Sequence, residues 1–357
     1  MQYAIETQTR FSRASLVVAV VLVVALALLP VFASRGLIQD VFFILTMLTL
    51  AQFWNLLAGY GNLLSIGQQA FVGVGAYSMF ALVILHGWDP LAALALAGLA
   101  ALLVALPFGF FSFRLQGAYF AIGTWVLAEV LRLSVAQFKT LGGGTGTSLP
   151  RAAMRNLWGS EWVKELFDVK TAAARDILTY WLALALAVAT IAGIYRLLRS
   201  KQGLALAAVR DNVEAAGAVG VNARLMQWKI FLVAAFGTGL AGALIYLQKA
   251  RISPDAAFSV TDWTAYIIFI VVIGGIGSIE GPIIGVLVFF LLQSALADYG
   301  SWYLLSLGVI GIIVMLFAPR GLWGIITDRT GWQCFPIRRR LAQHTSPTGD
   351  THVRNHH

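Results

Sequence analysis

Apolar positions along this chain come in long unbroken runs, with the polar residues gathered into short stretches between them. A helix that crosses a bilayer needs about 20 mostly apolar residues. Ala14–Ala33 is the first such run. From Val41 to Leu85 no residue is charged, and the run is too long for one helix. Its middle, NLLAGYGNLLSIGQQ (55–69), is rich in glycine and polar residues, so two spans are expected with the break there. Further spans are expected at Leu91–Phe113, Ala118–Phe138, Ile177–Tyr195 and Ile230–Gln248. Trp263–Ile279 and Pro282–Ala297 form a tight pair around Glu280, and Tyr299–Pro319 is the tenth. The fold class expected is an all-α integral membrane protein of about ten helices. Its organisation is an N-terminal segment (1–13), one transmembrane domain (14–323) and a polar tail (324–357). The tail after Arg340 has no apolar period and is expected to be disordered.

Charge tests this layout. Ten spans put both termini on one side. With the N-terminus cytoplasmic, inside segments hold 15 of the 25 Lys and Arg residues, and six of the outside ones fall in the long loop 139–176. The short outside loops are nearly free of positive charge, as the positive-inside rule requires. Arg10 and Arg13 before an apolar run also fit a secretory signal, but the run is long and VFASRG lacks a small-x-small cleavage site. An uncleaved first span is therefore expected. Composition agrees: 59% of residues are hydrophobic and 11% charged, against about 25% charged in soluble domains. The net charge of +9 fits cytoplasmic loops and gives no reason to invoke nucleic acid. The one cysteine, Cys334, excludes an internal disulfide.

Several chemistries lack their residues. LGGGTGTS (141–148) is rich in glycine, but no lysine follows where a phosphate-binding loop needs its amine. Of the five histidines, His86 lies at a loop and the others lie in the tail, so no intramembrane metal cluster is expected. Neither a nucleophile–base set nor an intramembrane carboxylate pair is visible, which argues against an enzyme.

One polar stretch stands out, VRDNVEAAGAVGVNARLMQWKI (209–230), inside the cytoplasmic loop 198–229. Asp211 is the expected N-cap, with Glu214 reaching back as in a capping box. The helix would run Asn212–Val219 and end at Gly220. Asn222 would cap a second helix leading into the next span. So short a helix needs something to pack against, its own bundle or a partner.

Within the spans, Glu129 and Arg132 lie three residues apart on one face of a helix. Ionisable residues inside spans are functional candidates by default. The pair either lines an aqueous path or neutralises itself against the bundle. Gln68, Gln69 and Thr124 are further candidates for such a path. Gly67, Gly73 and Gly75 in the first half, and Gly274, Gly275, Gly277, Gly281 and Gly285 in the second, suit close helix packing. Gly-interrupted segments in both halves hint at an internal repeat. The loop 139–176, with Trp158 and Trp162, suits either the membrane surface or a docking protein.

Four stretches carry a resemblance: GYGNLLSIGQQAFVGVGAYSMF (59–80), FRLQGAYFAIGTWVLAEVLRL (113–133), AAFGTGLAGALIYLQ (234–248) and VVIGGIGSIEGPIIGVLVFFLL (271–292). In order and spacing they resemble the LivM/LivH-type permeases of ABC importers for branched-chain amino acids, the M-type subunit above all. The likeness runs from about residue 41 to Trp323 and implies a type II importer permease fold. It also implies a second permease subunit, two ATPase subunits that bind ATP and magnesium, a periplasmic binding protein and a bacterial inner-membrane location. No cofactor is expected in the chain itself. The polar stretch then resembles a coupling loop that docks on an ATPase, with Arg210, Asp211, Asn212, Glu214, Ala215, Ala216 and Gly220 as its contact residues. Related permeases carry urea, amides or other amino acids. The competing class is a self-contained secondary transporter, for which Glu129 beside Arg132 is a poor proton carrier because the cation holds the carboxylate ionised.

Overall fold

The structure is a computed structural model, and it describes residues 3–6, 10–155, 157–296, 301–332, 334–335 and 340–343. The expected disorder of 344–357 lies outside the described residues. Among the described residues, eight helical stretches are long and apolar enough to cross a membrane, and two shorter apolar helices, Val17–Val31 and Glu280–Leu296, fall where the first and ninth spans were expected.

Four helices form the centre: α2 (Arg35–Asn55), α3 (Gln68–His86), α4 (Pro90–Ser112) and α11 (Ala223–Lys249). Their ends follow from local chemistry. Ser34 accepts the Leu37 N–H at 3.4 Å to start α2, and Asp89, followed by Pro90, accepts the Leu91 N–H at 2.8 Å to start α4. Gly87, at φ +67°, ends α3 in the left-handed region. In lipid no hydrophobic force drives helix against helix, so close packing of small residues does the work. Ala93, Ala97, Ala101 and Ala105 form a fully buried stripe on α4. A Cβ on Gly75 of α3 would overlap the backbone carbonyl of Gly239 on α11, and one on Gly242 would overlap that of Val72.

The outer elements are α1 (Arg10–Leu28), α5 (Ala118–Ala136), α8 (Thr171–Arg199), α13 (Tyr266–Gly274), α14 (Glu280–Leu296) and α15 (Ser301–Phe317). Between α5 and α8 lie α6 (Arg151–Arg155) and α7 (Ser160–Phe167). Between α8 and α11 lie α9 (Lys201–Asp211) and α10 (Val213–Ala218). Ahead of α13 comes α12 (Pro254–Ala257), and α16 (Gly321–Thr330) follows α15. Two short antiparallel pairings complete the fold: Tyr3–Glu6 with Arg340–Gln343, and Thr147–Ser148 with Arg251–Ile252.

Three expected boundaries move. The line between domain and tail at 323/324 falls inside α16, and residues 340–343 are paired strand. Phe335 also lies against the bundle: its N–H donates to Glu280 Oε1 at 2.8 Å, and its ring meets Tyr195 at 5.5 Å. The outer loop ends at 170, because α8 begins at Thr171, six residues before the span expected from hydropathy. At the N-terminus, α1 begins at Arg10, inside the segment taken as 1–13.

Candidate translocation and coupling site

The apolar run 41–85 breaks where its glycines and polar residues suggested. After α2 the chain makes one π-helical turn, Leu56–Tyr60, and then runs without helix from Asn62 to Gly67. Irregular backbone at membrane depth persists only when its polar groups are satisfied and protein or water covers it. Here the Ser65 carbonyl accepts the Trp54 indole N–H at 2.8 Å, the Ile66 N–H donates to Thr124 Oγ1 at 3.1 Å, and the Gly67 N–H donates to Ser65 Oγ at 3.2 Å. The segment is a succession of turns: Asn62 stands at φ +54°, and the Ser65 N–H donates to the Leu63 carbonyl at 3.0 Å. Leu63 and Ser65 are buried, while Asn62 and Leu64 on the other side are exposed. Gly67 abuts the Thr124 carbonyl so closely that a Cβ would overlap it.

Gln68 and Gln69 begin α3 next to this segment, and both are fully buried. Gln68 Nε2 donates to Thr238 Oγ1 at 2.6 Å, near the middle of α11. Gln69 Oε1 accepts the hydroxyl of Thr264, on the π-helical turn Val260–Ala265. The two glutamines and Thr124 thus fasten the start of α3 to three neighbouring elements and present no free surface within the chain. Gly73 faces the Phe258 ring.

Glu129 and Arg132 sit apart from this cluster. Arg132 donates through Nε and Nη2 to the Glu129 carboxylate at 2.5–3.0 Å, and through Nη1 to Asp255 of α12. Glu129 is half-exposed. The pair therefore ties α5 to the segment before α13. Apart from the stripe Phe120, Thr124 and Ala128, α5 is not buried, which leaves this helix the most open of the long ones beside the helix-free segment.

The Gly-rich breaks of the two halves meet. Asn55 Oδ1 accepts the Gly277 N–H at 2.8 Å, and Asn55 Nδ2 donates to the Ser278 carbonyl at 2.7 Å. One helical turn earlier, Gln52 Nε2 donates to the Ile279 carbonyl at 2.7 Å. A Cβ on Gly59 would stand 2.6 Å from the Gly277 nitrogen. Gly275 and Gly277 have φ of +130° and +76°, which an L side chain rarely adopts. Gly274 packs against the Gly281 carbonyl, Gly281 against that of Gly275 and Gly285 against that of Ile270, so α13 and α14 touch backbone to backbone. Glu280, Arg320, Trp323, Asp328 and Phe335 line a cavity of about 500 Å³ beside this turn. Burial and the nearby Glu280 carboxylate push the Cys334 thiol above its ordinary range.

The polar loop adjoins the same contact. Asn212, not Asp211, is the N-cap: its Oδ1 accepts the Glu214 and Ala215 N–H groups at 2.9 and 3.0 Å. Asp211 cannot cap because it is the last residue of α9, a helix the sequence reading left out. Glu214 gives its backbone N–H to the cap but stands two residues after it, not three, and the Asn212 N–H donates to the Ala208 carbonyl at 3.0 Å, so no capping box forms. Gly220, at φ +83°, makes the turn after α10, and Asn222 accepts the Leu225 N–H at 2.9 Å to start α11. Only Ala216 of α10 is buried; Val213, Glu214, Ala215 and the following Val219 are exposed. Arg210 points back to the bundle, with Nη1 3.7 Å from where a Cβ added to Gly277 would stand. α9 packs against the π-helical turn Leu56–Tyr60, and its Arg210 lies near the turn that holds the two breaks together.

Sequence reasoning missed Asp176. It lay at the edge of the outer loop, yet its side chain is fully buried. Its carboxylate accepts from Arg35 Nε at 2.5 Å, from Gln39 Nε2 and Gln248 Nε2 at 3.0 Å, and from Arg175 Nη2 at 3.4 Å. It joins α2, α8 and α11. A buried carboxylate needs such partners, and an Asp six residues inside α8 was the available signal.

Comparison with known proteins agrees with this architecture. The family model for the branched-chain amino acid transport system permease component matches residues 36–318. The high-affinity branched-chain amino acid transport system permease protein LivM of Escherichia coli is 28% identical over 330 residues, covering 89% of this chain and 76% of that protein. The Salmonella typhimurium protein of the same name is also 28% identical, over 84% of this chain and 73% of its own length. BraD, the permease protein of the same kind of system in Pseudomonas aeruginosa, is 30% identical over 35% of this chain and 41% of its own. No solved structure matches significantly. With a family match across most of its length and a bundle of membrane-spanning helices, this chain belongs to the branched-chain amino acid transport system permease family.

Proposed function

We propose that this chain is one of two permease subunits in an ATP-driven importer that brings branched-chain amino acids into the cytoplasm. It has ten spans in a bacterial inner membrane, both termini in the cytoplasm, and it works with two ATPase subunits and a periplasmic binding protein. ATP and magnesium bind to the ATPases, and this chain catalyses no reaction. The observation that supports the reading best is α10. It is a capped helix with almost all of its surface open, and it follows α9, which packs against the π-helical turn Leu56–Tyr60 and carries Arg210 near the turn where the two broken helices meet. A push on α10 would reach the breaks through that contact. The second permease would cover α5 and the exposed edge Asn62–Leu64, enclosing a path lined by weakly polar groups. Gln68, Gln69 and Thr124 would shape its wall from behind, and Glu129 with Arg132 would stand near its outer mouth.

The test is a pull-down from gently solubilised membranes with this chain as bait, followed by an ATP hydrolysis assay. The reading expects a co-purifying ATPase that is lost when residues 212–220 are replaced by a Gly/Ser linker. A folded chain that never brings down an ATPase would overturn it in favour of a self-contained transporter. Competition for uptake by leucine, urea and acetamide then separates the substrate classes.

A further inference from the structure

Helix α7 is the element that transport leaves unused. It is eight residues long, SEWVKELF, and its side chains divide into three arcs. Val163, fully buried, and Ser160 face the bundle, with Phe167 beside them. Trp162 and Leu166 lie on the next arc, about 40° apart at 100° per residue, and are 61% and 57% exposed. Trp158, just before the helix, is 79% exposed. Glu161, Lys164 and Glu165 occupy the opposite arc and are exposed. The apolar face is thus wider than the bundle covers, and its uncovered part is mainly tryptophan.

The height of α7 along the bundle is fixed by its neighbours. The Trp181 ring of α8 lies 6.4 Å from Trp162 and 5.9 Å from Phe167. The Trp181 indole N–H donates to the Ala27 carbonyl at 3.0 Å, and the Tyr180 hydroxyl donates to the Leu26 carbonyl at 2.6 Å. These carbonyls belong to the last turn of α1, where the apolar stretch Val17–Val31 runs out. Phe32, just beyond, is 88% exposed. So α7 sits level with the end of one membrane-crossing helix and against the side of another.

We infer that α7 lies in the membrane–water interface of one leaflet, with Trp158, Trp162 and Leu166 among the headgroups and upper acyl chains. Glu161, Lys164 and Glu165 face water. Tryptophan favours this zone because its ring is apolar and its N–H polar, and a helix with one apolar and one charged face lies flat there. A soluble docking protein would leave large apolar side chains in water whenever it departed. Lipid covers them at all times, and Val163 and Phe167 of α7 share one apolar cluster with Leu26 and Ala27 of α1 and Trp181 of α8. This inference rests only on the chain being a membrane protein, so it stands or falls apart from the transport reading.

The experiment places a nitroxide label on the full-length chain, Cys334→Ser, in nanodiscs of phosphatidylethanolamine and phosphatidylglycerol. Labels go at Leu166→Cys and, separately, at Glu161→Cys. Collision with oxygen, which concentrates in lipid, is compared with collision with a water-soluble nickel chelate. The expected result is oxygen access several-fold above nickel access at 166, and the reverse at 161. Trp162→Cys gives a second reading of the same arc should the 166 variant fail to insert. Equal, water-like behaviour at 166 and 161 would overturn the inference. So would a label at 166 shielded from both agents, because a protein would then cover the face.

Discussion

Asn55 holds both the N–H of Gly277 and the carbonyl of Ser278 with one side-chain amide, at 2.8 and 2.7 Å. The residues lie more than 200 positions apart, on the two Gly-interrupted segments. The amide replaces backbone partners that the second interruption loses. Removing it leaves a buried donor and acceptor unmet, at about 1–3 kcal/mol each. Asn55→Leu should therefore lower the melting temperature in detergent and abolish uptake, while Asn55→Asp, which keeps the acceptor, should lose less of both. Thermal melting followed by fluorescence, beside uptake in proteoliposomes, measures this.

Gly75 and Gly217 offer a matched pair. A Cβ at Gly75 meets the Gly239 backbone, whereas one at Gly217 meets nothing within 4 Å. Overpacking costs about 1–3 kcal/mol, more where backbone blocks the way. Gly75→Val should reduce the folded yield sharply, and Gly217→Ala should leave it unchanged. Size-exclusion profiles of the two variants decide it.

Asp176 and Arg35 form a pair with the carboxylate wholly buried and the guanidinium half-exposed. Breaking a buried pair by removing one partner costs about 3–5 kcal/mol; the open side of Arg35 places that substitution below this range. Asp176→Ala should destabilise more than Arg35→Gln, and the double variant should lose less than the sum. A double-mutant cycle on melting midpoints would contradict the account if the two effects simply added.

Asn212 and Asp211 separate two readings of one cap. Asn212→Ala should cost about 1 kcal/mol of local helix stability and weaken ATP-driven uptake. Asp211→Ala should leave that helix stability unchanged. The opposite ranking would restore Asp211 as the cap.

Arg132 tests whether α5 borders the path. A partly exposed i,i+3 pair such as Glu129–Arg132 contributes at most about 1 kcal/mol, so Arg132→Gln should move the melting temperature little. If the residue stands at the mouth of the path, the KM for uptake should rise while stability holds. An unchanged KM would leave the pair a structural tie to Asp255.

The positions of the apolar helices were legible because lipid demands long uninterrupted runs, and the breaks showed because glycine and glutamine interrupt them. Which break meets which was not legible. Asn55 and Gly277 carry no sequence mark of each other, and only folding brings them together. Asp211 and Asn212 are adjacent residues that can both cap a helix. The choice falls to Asn212 because α9 extends through Asp211 and leaves Asn212 as the first residue in extended geometry. Gln68 and Gln69 read as path candidates because they are polar inside a span; folded, Gln68 Nε2 bonds Thr238 and Gln69 Oε1 bonds Thr264, while Gln68 Oε1 is buried without a partner. Asp176 was hidden because hydropathy starts a span at its first apolar residue, whereas the helix starts earlier and carries the carboxylate inward.

The central claim is that movement of α10 reaches the helix breaks. Gly220→Pro tests it most directly, because proline fixes φ near −65° where the turn between α10 and α11 needs +83°. The measurement is leucine uptake into proteoliposomes holding the complete complex and internal ATP, with membrane insertion checked in parallel. The account predicts a variant that inserts normally and hydrolyses ATP without importing leucine. Uptake at the unmodified rate would contradict it.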